Sequence, residues 1–399
     1  MQKAFFLLVS LALASVFAPA ARAQNIDAGV IDIAANAAPT TAVSVSGSTP
    51  ELESLARTAF NAHGAFRVAT AGAYAIEFAA AGPSQVTVTV RRGSGTPVLT
   101  QTVSGASARN ALLRAADAAV EKITGLRGWF AGRIVFTSEK DGQKLLVTGD
   151  LFFGELQSHP VGKQQVIGPR WSPDGSRIVF TSYRTGFPDI YVLDLQSRQL
   201  AHLVSLKGTN SGGRFSPDGA QLAMVLSGTG NPEVWIGTAE GKQLRRLTRT
   251  PGVEASPAWS PDGGRLVFTS EQGGRPQLYV MGAAGGAMTR VPTDISRYCA
   301  EPDWSAADPQ KIAFTAAQGR GYQIAVFDFR TGKSEWATSA PTDAIEAVWL
   351  PDARHLLCTF RGANTRRLHI VDTLSKRAVP VGPASFGQSG NASYLPARR

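Results

Sequence analysis

Five histidines and two cysteines could bring metal-binding or nucleophilic chemistry to this chain of 399 residues. Neither set is spaced for it. His63, His159, His202, His355 and His369 are scattered, and none shows the local pairing of a zinc site. His202 and His369 fall in strand-like runs, where a histidine packs or faces solvent. The motifs H-E-x-x-H, G-x-S-x-G, the P-loop and G-x-G-x-x-G are all absent. Cys358 stands where Phe180 and Phe268 stand in their own segments, so it reads as a small packed residue, and Cys299 as a second free thiol. No catalytic residue, cofactor or metal is expected, and the chain is expected not to be an enzyme.

Aspartates and tryptophans, by contrast, recur in register. Trp171 opens WSPDG, Phe215 FSPDG, Trp259 WSPDG, Trp304 WSAAD and Trp349 WLPDA, at intervals of 44, 44, 45 and 45 residues. Paired catalytic carboxylates would converge at one place. A carboxylate that returns once per repeat caps backbone N–H groups inside a tight turn, the reading for Asp174, Asp218, Asp262 and Asp352. The tryptophans belong, by the same argument, to packing between repeats. Each turn is followed by strand runs such as RIVFTS and DIYVLDL, and each unit supplies four strands, the content of one propeller blade.

Stepping 44 residues back from Trp171 reaches Arg127, beside a second RIVFTS at Arg133–Ser138. Stepping 45 forward from Trp349 reaches Tyr394. The fold class is therefore mainly β: a six-bladed propeller over residues 127–399, closed by strands from its two ends, preceded by a small α/β domain. That domain is expected over residues 49–126. It opens with a hydroxyl cap at Ser48 or Thr49 before Pro50, carries strands at Tyr74–Ala79, Gln85–Arg92 and Pro97–Val103, and ends in a helix near Ser107–Thr124.

Met1–Ala23 reads as a secretory signal, with Lys3, an apolar run from Ala4 to Phe17, and cleavage after the Ala21-Arg22-Ala23 site. Cleavage would remove two of the positive charges and take the net charge from +10 to +8. Residues 24–48, rich in Ala, Ser, Thr and Asn, read as a flexible arm with a short strand at Ala42–Val45. The basic residues are dispersed and form no basic helix, which argues against nucleic acid as a partner.

Function is then expected in the segments before each aromatic turn: Gly168-Pro169, Thr209–Arg214, Val253–Pro257, Arg297–Asp303 and Asp343–Glu346. These read as variable loops converging on one mouth of the central channel.

The chain resembles the TolB family. VEKITGLRGWFAGRIVF (Val120–Phe136) is similar to that family's junction between domain and first blade. GPRWSPDGSRIVFTSYRTGFPDIYVLDL and GGRFSPDGAQLAMVLSGTGNPEVWI resemble its next two blades, and the similarity runs over residues 50–399. The resemblance implies a monomeric periplasmic scaffold of the Tol-Pal system. It would bind a Pal-like peptidoglycan-associated lipoprotein at the propeller mouth and a TolA-like inner-membrane protein through Gln24–Ile33, supporting outer-membrane integrity and cell division. Carried onto this sequence, the partner-binding positions are Thr209, Asn210, Ser211, Arg214, Glu254, Ser256, Arg297, Tyr298 and Glu301. The chain departs from the family pattern in its SYLPA ending, at Thr209, and in lacking an obvious apolar first strand. The competing reading is a cell-wall- or carbohydrate-active propeller enzyme, which His and acidic side chains gathered at the mouth would favour.

Overall fold

A computed structural model describes residues 39–140, 142–162 and 164–398. The signal segment and the Gln24–Ile33 arm lie outside the described residues. The chain opens with β1 (Thr41–Gly47), α1 (Pro50–Ala62), β2 (Phe66–Val68), β3 (Tyr74–Gly82), β4 (Gln85–Arg92), β5 (Pro97–Ser104) and α2 (Ala108–Thr124). The strands form one sheet in the order β2-β1-β3-β4-β5. Thr49 caps α1 by accepting the N–H of Leu52, with Pro50 in the first turn, and Ser107 caps α2 by accepting that of Asn110. Gly125, at φ 73, ends α2 in the left-handed conformation that glycine adopts without strain.

The stretch expected to close the arm is instead structural. Thr41–Gly47 runs parallel to both β2 and β3, with Val43 and Val45 buried. The α/β sheet thus includes Thr41–Gly47, ahead of the boundary expected at residue 49. The short strand expected at Ala42–Val45 is there, extended to Thr41–Gly47, but its pairing on both edges is not visible in sequence because only Val43 and Val45 mark it.

Six four-stranded sheets follow, as the aromatic period predicts. Blade 1 holds Arg133–Lys140, Gln143–Asp150 and Gln157–His159, and its innermost strand is Gln388–Leu395 from the far end of the chain. The inner strands of blades 2 to 6 are Val166–Trp171, Asn210–Phe215, Glu254–Trp259, Cys299–Trp304 and Asp343–Trp349. Tyr394 pairs with Ile134 as Trp171 pairs with Ile178, so it fills the aromatic place of the blade that lacks one. Its buried hydroxyl donates to the Trp129 carbonyl at 2.7 Å.

Turn and seam chemistry repeat with the blades. Asp174 Oδ1 accepts the Ser172 hydroxyl and the Ser176 N–H, and Asp218 and Asp262 do the same in their own turns. Trp171, Trp259 and Trp349 donate their indole N–H to inner-strand carbonyls of the neighbouring blade, at Ser393 (3.2 Å), Arg214 (2.9 Å) and Asp303 (3.1 Å). Cys299 and Cys358 are free and buried.

Candidate functional site: the propeller mouth

The segments expected to be loops are the inner strands themselves. In each, two residues oppose one on the neighbouring strand, a β-bulge whose first residue is left-handed: Gly168 (φ 57), Gly212 (68), Ser256 (52), Glu301 (53), Glu346 (59) and Asn391 (53). At four of the six bulges the threonine of an FTS-type run supports the bulge of the next blade, while Gly168 N–H donates to Asn391 Oδ1 instead. Gly212, Glu301, Glu346 and Asn391 donate their N–H to Thr181 (3.2 Å), Thr269 (3.2 Å), Thr315 (3.2 Å) and Thr359 (3.1 Å). Blade 3 carries Val225 at this place.

Two of the bulge residues are acids, and both are tied into the ring. Glu301 accepts the Thr315 hydroxyl at 2.8 Å and the Glu346 N–H at 3.3 Å. Glu346 accepts the Thr359 hydroxyl at 2.8 Å, the Asn391 N–H at 3.0 Å, and Arg366 at 3.0 Å. Burial, aided by the Glu346 charge, pushes the Glu301 carboxyl up to about 7. Deeper in the channel Arg214 pairs with Asp303, which also accepts the Trp349 N–H at 2.8 Å. Burial, with the Arg214 charge beside it, draws Arg170 down to about 10.

The predicted partner-binding positions therefore divide. Thr209, Ser211 and Ser256 are partly exposed, Tyr298 likewise, and Arg297 is exposed at the rim. Arg214 and Glu301 belong to the channel wall. Asn210 and Glu254 are fully buried, which corrects their expected place on a loop surface. Asn210 instead donates to Asp189 at 3.0 Å and to the Leu206 carbonyl at 2.8 Å, clamping blade 2 to blade 3. Glu254 occupies the same register between blades 3 and 4, taking hydroxyls from Thr250 and Ser270, both at 2.7 Å. Tyr298 packs edge-on against Tyr322, ring centroids 5.2 Å apart.

Sequence reasoning missed two residues that this clamp presents. Phe187, 67% exposed, and Leu206, 49% exposed, lie just before Asp189 and Asn210 on the mouth side of blade 2. Around them the hairpins and loops of that face carry exposed Arg184, Lys207, Arg249, Arg275, Arg297 and Arg320. Chain position alone could not reveal two apolar side chains sharing one rim.

Among the described residues, one His/acid group could hold a metal: His63, Asp352 and His355, whose ligand atoms lie within 4.8 Å of one another. It lies not at the mouth but buried where the α/β domain meets blade 6. His355 Nδ1 and Asp352 Oδ2 are 2.6 Å apart, the Trp129 indole donates to the same oxygen at 3.0 Å, and Gly64 N–H donates to His355 Nε2 at 3.3 Å. His63 Nδ1 accepts the Ala65 N–H at 3.2 Å, which leaves His63 Nε2 as the one ring nitrogen of the pair without a hydrogen bond. With the other donors committed to each other and to backbone, the group works as a latch between domains. Beside it Arg354 grips Asp372 at 2.6 Å, and Arg377 donates to the Asn61 carbonyl at 2.8 Å. No helix among the described residues is long and apolar enough to cross a membrane.

Comparison with known proteins agrees with this architecture. The family model described as TolB beta propeller domain matches residues 120–393. The Tol-Pal system protein TolB of Azoarcus sp. (strain BH72) is 39% identical over 64 residues, 16% of this chain, and the match spans 15% of that protein's length. The crystal structure of TolB from Acinetobacter baumannii aligns with a TM-score of 0.80 at 23% identity, over 92% of this chain and 100% of that one. That of a putative TolB from Agrobacterium tumefaciens aligns at 0.52 and 17% identity, over 67% and 99% of the two chains. At such identities the structural likeness is one of fold.

Proposed function

The chain belongs to the TolB β-propeller family, and from that premise we propose that it is a non-catalytic docking scaffold of the Tol-Pal system in the periplasm. A Pal-like lipoprotein would seat on the propeller mouth and a TolA-like inner-membrane protein would take the arm at residues 24–33, linking the envelope layers during growth and division. The observation that carries the mouth reading is the exposed pair Phe187 and Leu206 inside a rim of arginines and lysines. Large apolar anchors within a polar border are the anatomy of a protein-docking surface. The excess of basic side chains favours an acidic partner face and speeds encounter more than it deepens affinity. Thr209, Ser211, Arg297 and Tyr298 would touch the partner, while buried Asn210 and Glu254 hold the rim in shape from beneath.

The test is calorimetric titration of the purified chain with the soluble domain of a Pal-like lipoprotein. Phe187→Ala should weaken binding by about 2 kcal/mol, the scale of an interface hot spot, and leave the melting temperature unchanged. Tyr298→Ala should lower both affinity and melting temperature, since its ring also packs on Tyr322. Full affinity in both variants would sink the mouth as the docking surface.

A further inference from the structure

Blades 2 and 3 each set an acid at the start of the third strand against a nitrogen-bearing side chain of the outermost strand. In blade 2 the Asp189 carboxylate meets His202 at 3.1 Å, and in blade 3 Glu233 meets Arg246 at 2.6 Å. His202 and Arg246 sit in the same register, opposite Tyr191 and Trp235. Blade 4 keeps that register, with Arg290 opposite Tyr279, but its third strand starts with Gln277.

The amide does the positioning and omits the charge. Gln277 Oε1 accepts from Arg290 Nη2 at 3.1 Å, while its Nε2 donates to the Ser296 carbonyl at 3.2 Å. Among the described residues the one carboxylate paired with Arg290 is Asp294, at the edge of the same cavity, 3.9 Å away and 75% exposed. An ion pair that long and that exposed is largely screened by solvent. Arg275 and Arg297 line the same open cavity of about 720 Å³, together with Tyr279 and Ser296. Neither makes a hydrogen bond or an ion pair among the described residues.

We propose that this cavity binds a small ligand bearing oxyanion groups, phosphorylated or dicarboxylic, whose charge takes the place of the carboxylate that blades 2 and 3 supply from within. Guanidinium forks match the paired oxygens of phosphate and carboxylate. Arg290, already oriented by Gln277, loses little freedom on binding, and the cavity has the volume of small-molecule sites, roughly 300–1,000 Å³. The site is open, so added salt weakens it. Arg275 and Arg297 belong also to the rim of the docking reading. The Gln277–Arg290 pair that defines the site, however, lies on the third and fourth strands of blade 4, so binding of a small oxyanion is tested separately from docking.

Calorimetric titrations with inorganic pyrophosphate and with citrate, at low ionic strength, test the proposal on the full chain. Saturable one-to-one binding of either probe is expected: pyrophosphate alone assigns a phosphorylated ligand, citrate alone a carboxylic one. Arg290→Ala should weaken binding roughly tenfold or more, as loss of a charge-assisted contact does. Gln277→Glu is the sharper variant, since it installs the acid that Glu233 provides in blade 3. It should also weaken binding at least about tenfold, with the melting temperature kept. Absence of saturable binding for both probes, or undiminished binding in Gln277→Glu, overturns the proposal.

Discussion

Glu254 faces Glu233 across the seam between blades 3 and 4, and neither carboxylate reaches solvent. Burial works against the Glu233 charge, but the hydrogen bond from Glu254, with those from Thr248, Arg246 and the Thr250 N–H, outweighs it and holds Glu233 below its ordinary range. Glu254 Oε2 has no hydrogen-bond partner unless it carries a proton. Burial first, and then its acidic neighbour, push Glu254 up to about 7. The equivalent seam between blades 2 and 3 is bridged by the Asn210 amide and Asp189, so the protonated acid does in one seam what an amide does in the other.

An acid whose folded value lies above its unfolded one stabilises the fold at low pH, and that contribution is lost as pH rises. For Glu254 it is fully present below 4.5 and disappears towards about 7. Glu254→Gln, which can donate at any pH, should remove this part of the decline. At pH 8 the variant should be more stable than the parent by roughly 1 kcal/mol, the cost of one unmet buried hydrogen bond. Melting curves across the range check it; an identical pH slope in both proteins would refute the shared proton.

His63 works in the opposite direction. Burial, followed by the neighbouring His355 and opposed by Asp352 and Asp372, keeps its imidazole neutral and its pKa well below 6.5. Stability from this group is complete above 6.5 and falls as the pH drops towards the folded value. His63→Phe keeps a ring among Phe66, Trp129 and Phe130 and removes the titration. The acid side of its stability profile should be flatter than the parent's, and hydrogen exchange in α1 should no longer quicken on mild acidification.

Asp352 and Asp262 occupy the same turn position in different blades and should respond unequally to the same change. Asp262 is exposed and bonds within its turn. Asp352 follows Leu350 where other turns have serine, and its freed oxygen binds Trp129 and His355 across the domain boundary. Asp352→Asn should cost about 3 kcal/mol or more. Asp262→Asn should cost about 1 kcal/mol or less. Denaturant titration distinguishes them, and equal losses would remove the latch.

Thr315→Val keeps shape and deletes the hydroxyl that links Glu301 to the Glu346 bulge. A loss of about 1–3 kcal/mol is expected, the penalty of leaving buried polar groups unpaired. A thermal shift close to zero would show that the bulges stand without these threonines.

The blade count was legible because the turns that set it are local: an aromatic residue, Ser, Pro, Asp and Gly within one stretch. The inner strands were not. GPRW, NSGGRF and EASPAW read as loops through their glycines and prolines. The free edge of each inner strand faces the channel, so Pro169, Pro257 and Pro302 forfeit no ladder bond there, and the bulge makes a left-handed residue normal. β2 is three residues long, too short for any periodicity to register. The latch joins Gly64 to His355 across 291 positions, beyond the reach of any motif spacing. The acidic seam was visible as residues but not as a pair, since burial turned Glu254 from a rim charge into a proton donor.

The strand that completes blade 1 follows every other described strand in the chain. Synthesis runs from the N-terminus, so Arg133–Lys140 leaves the ribosome with one edge bare and waits for Gln388–Leu395; the Thr137 bond to the Gly390 carbonyl spans 253 residues. Until then the α/β domain rests beside an unfinished sheet, and the bare edge invites pairing with another chain. A product that lacks Gln388–Leu395 would keep that edge unpaired and open to pairing with another chain.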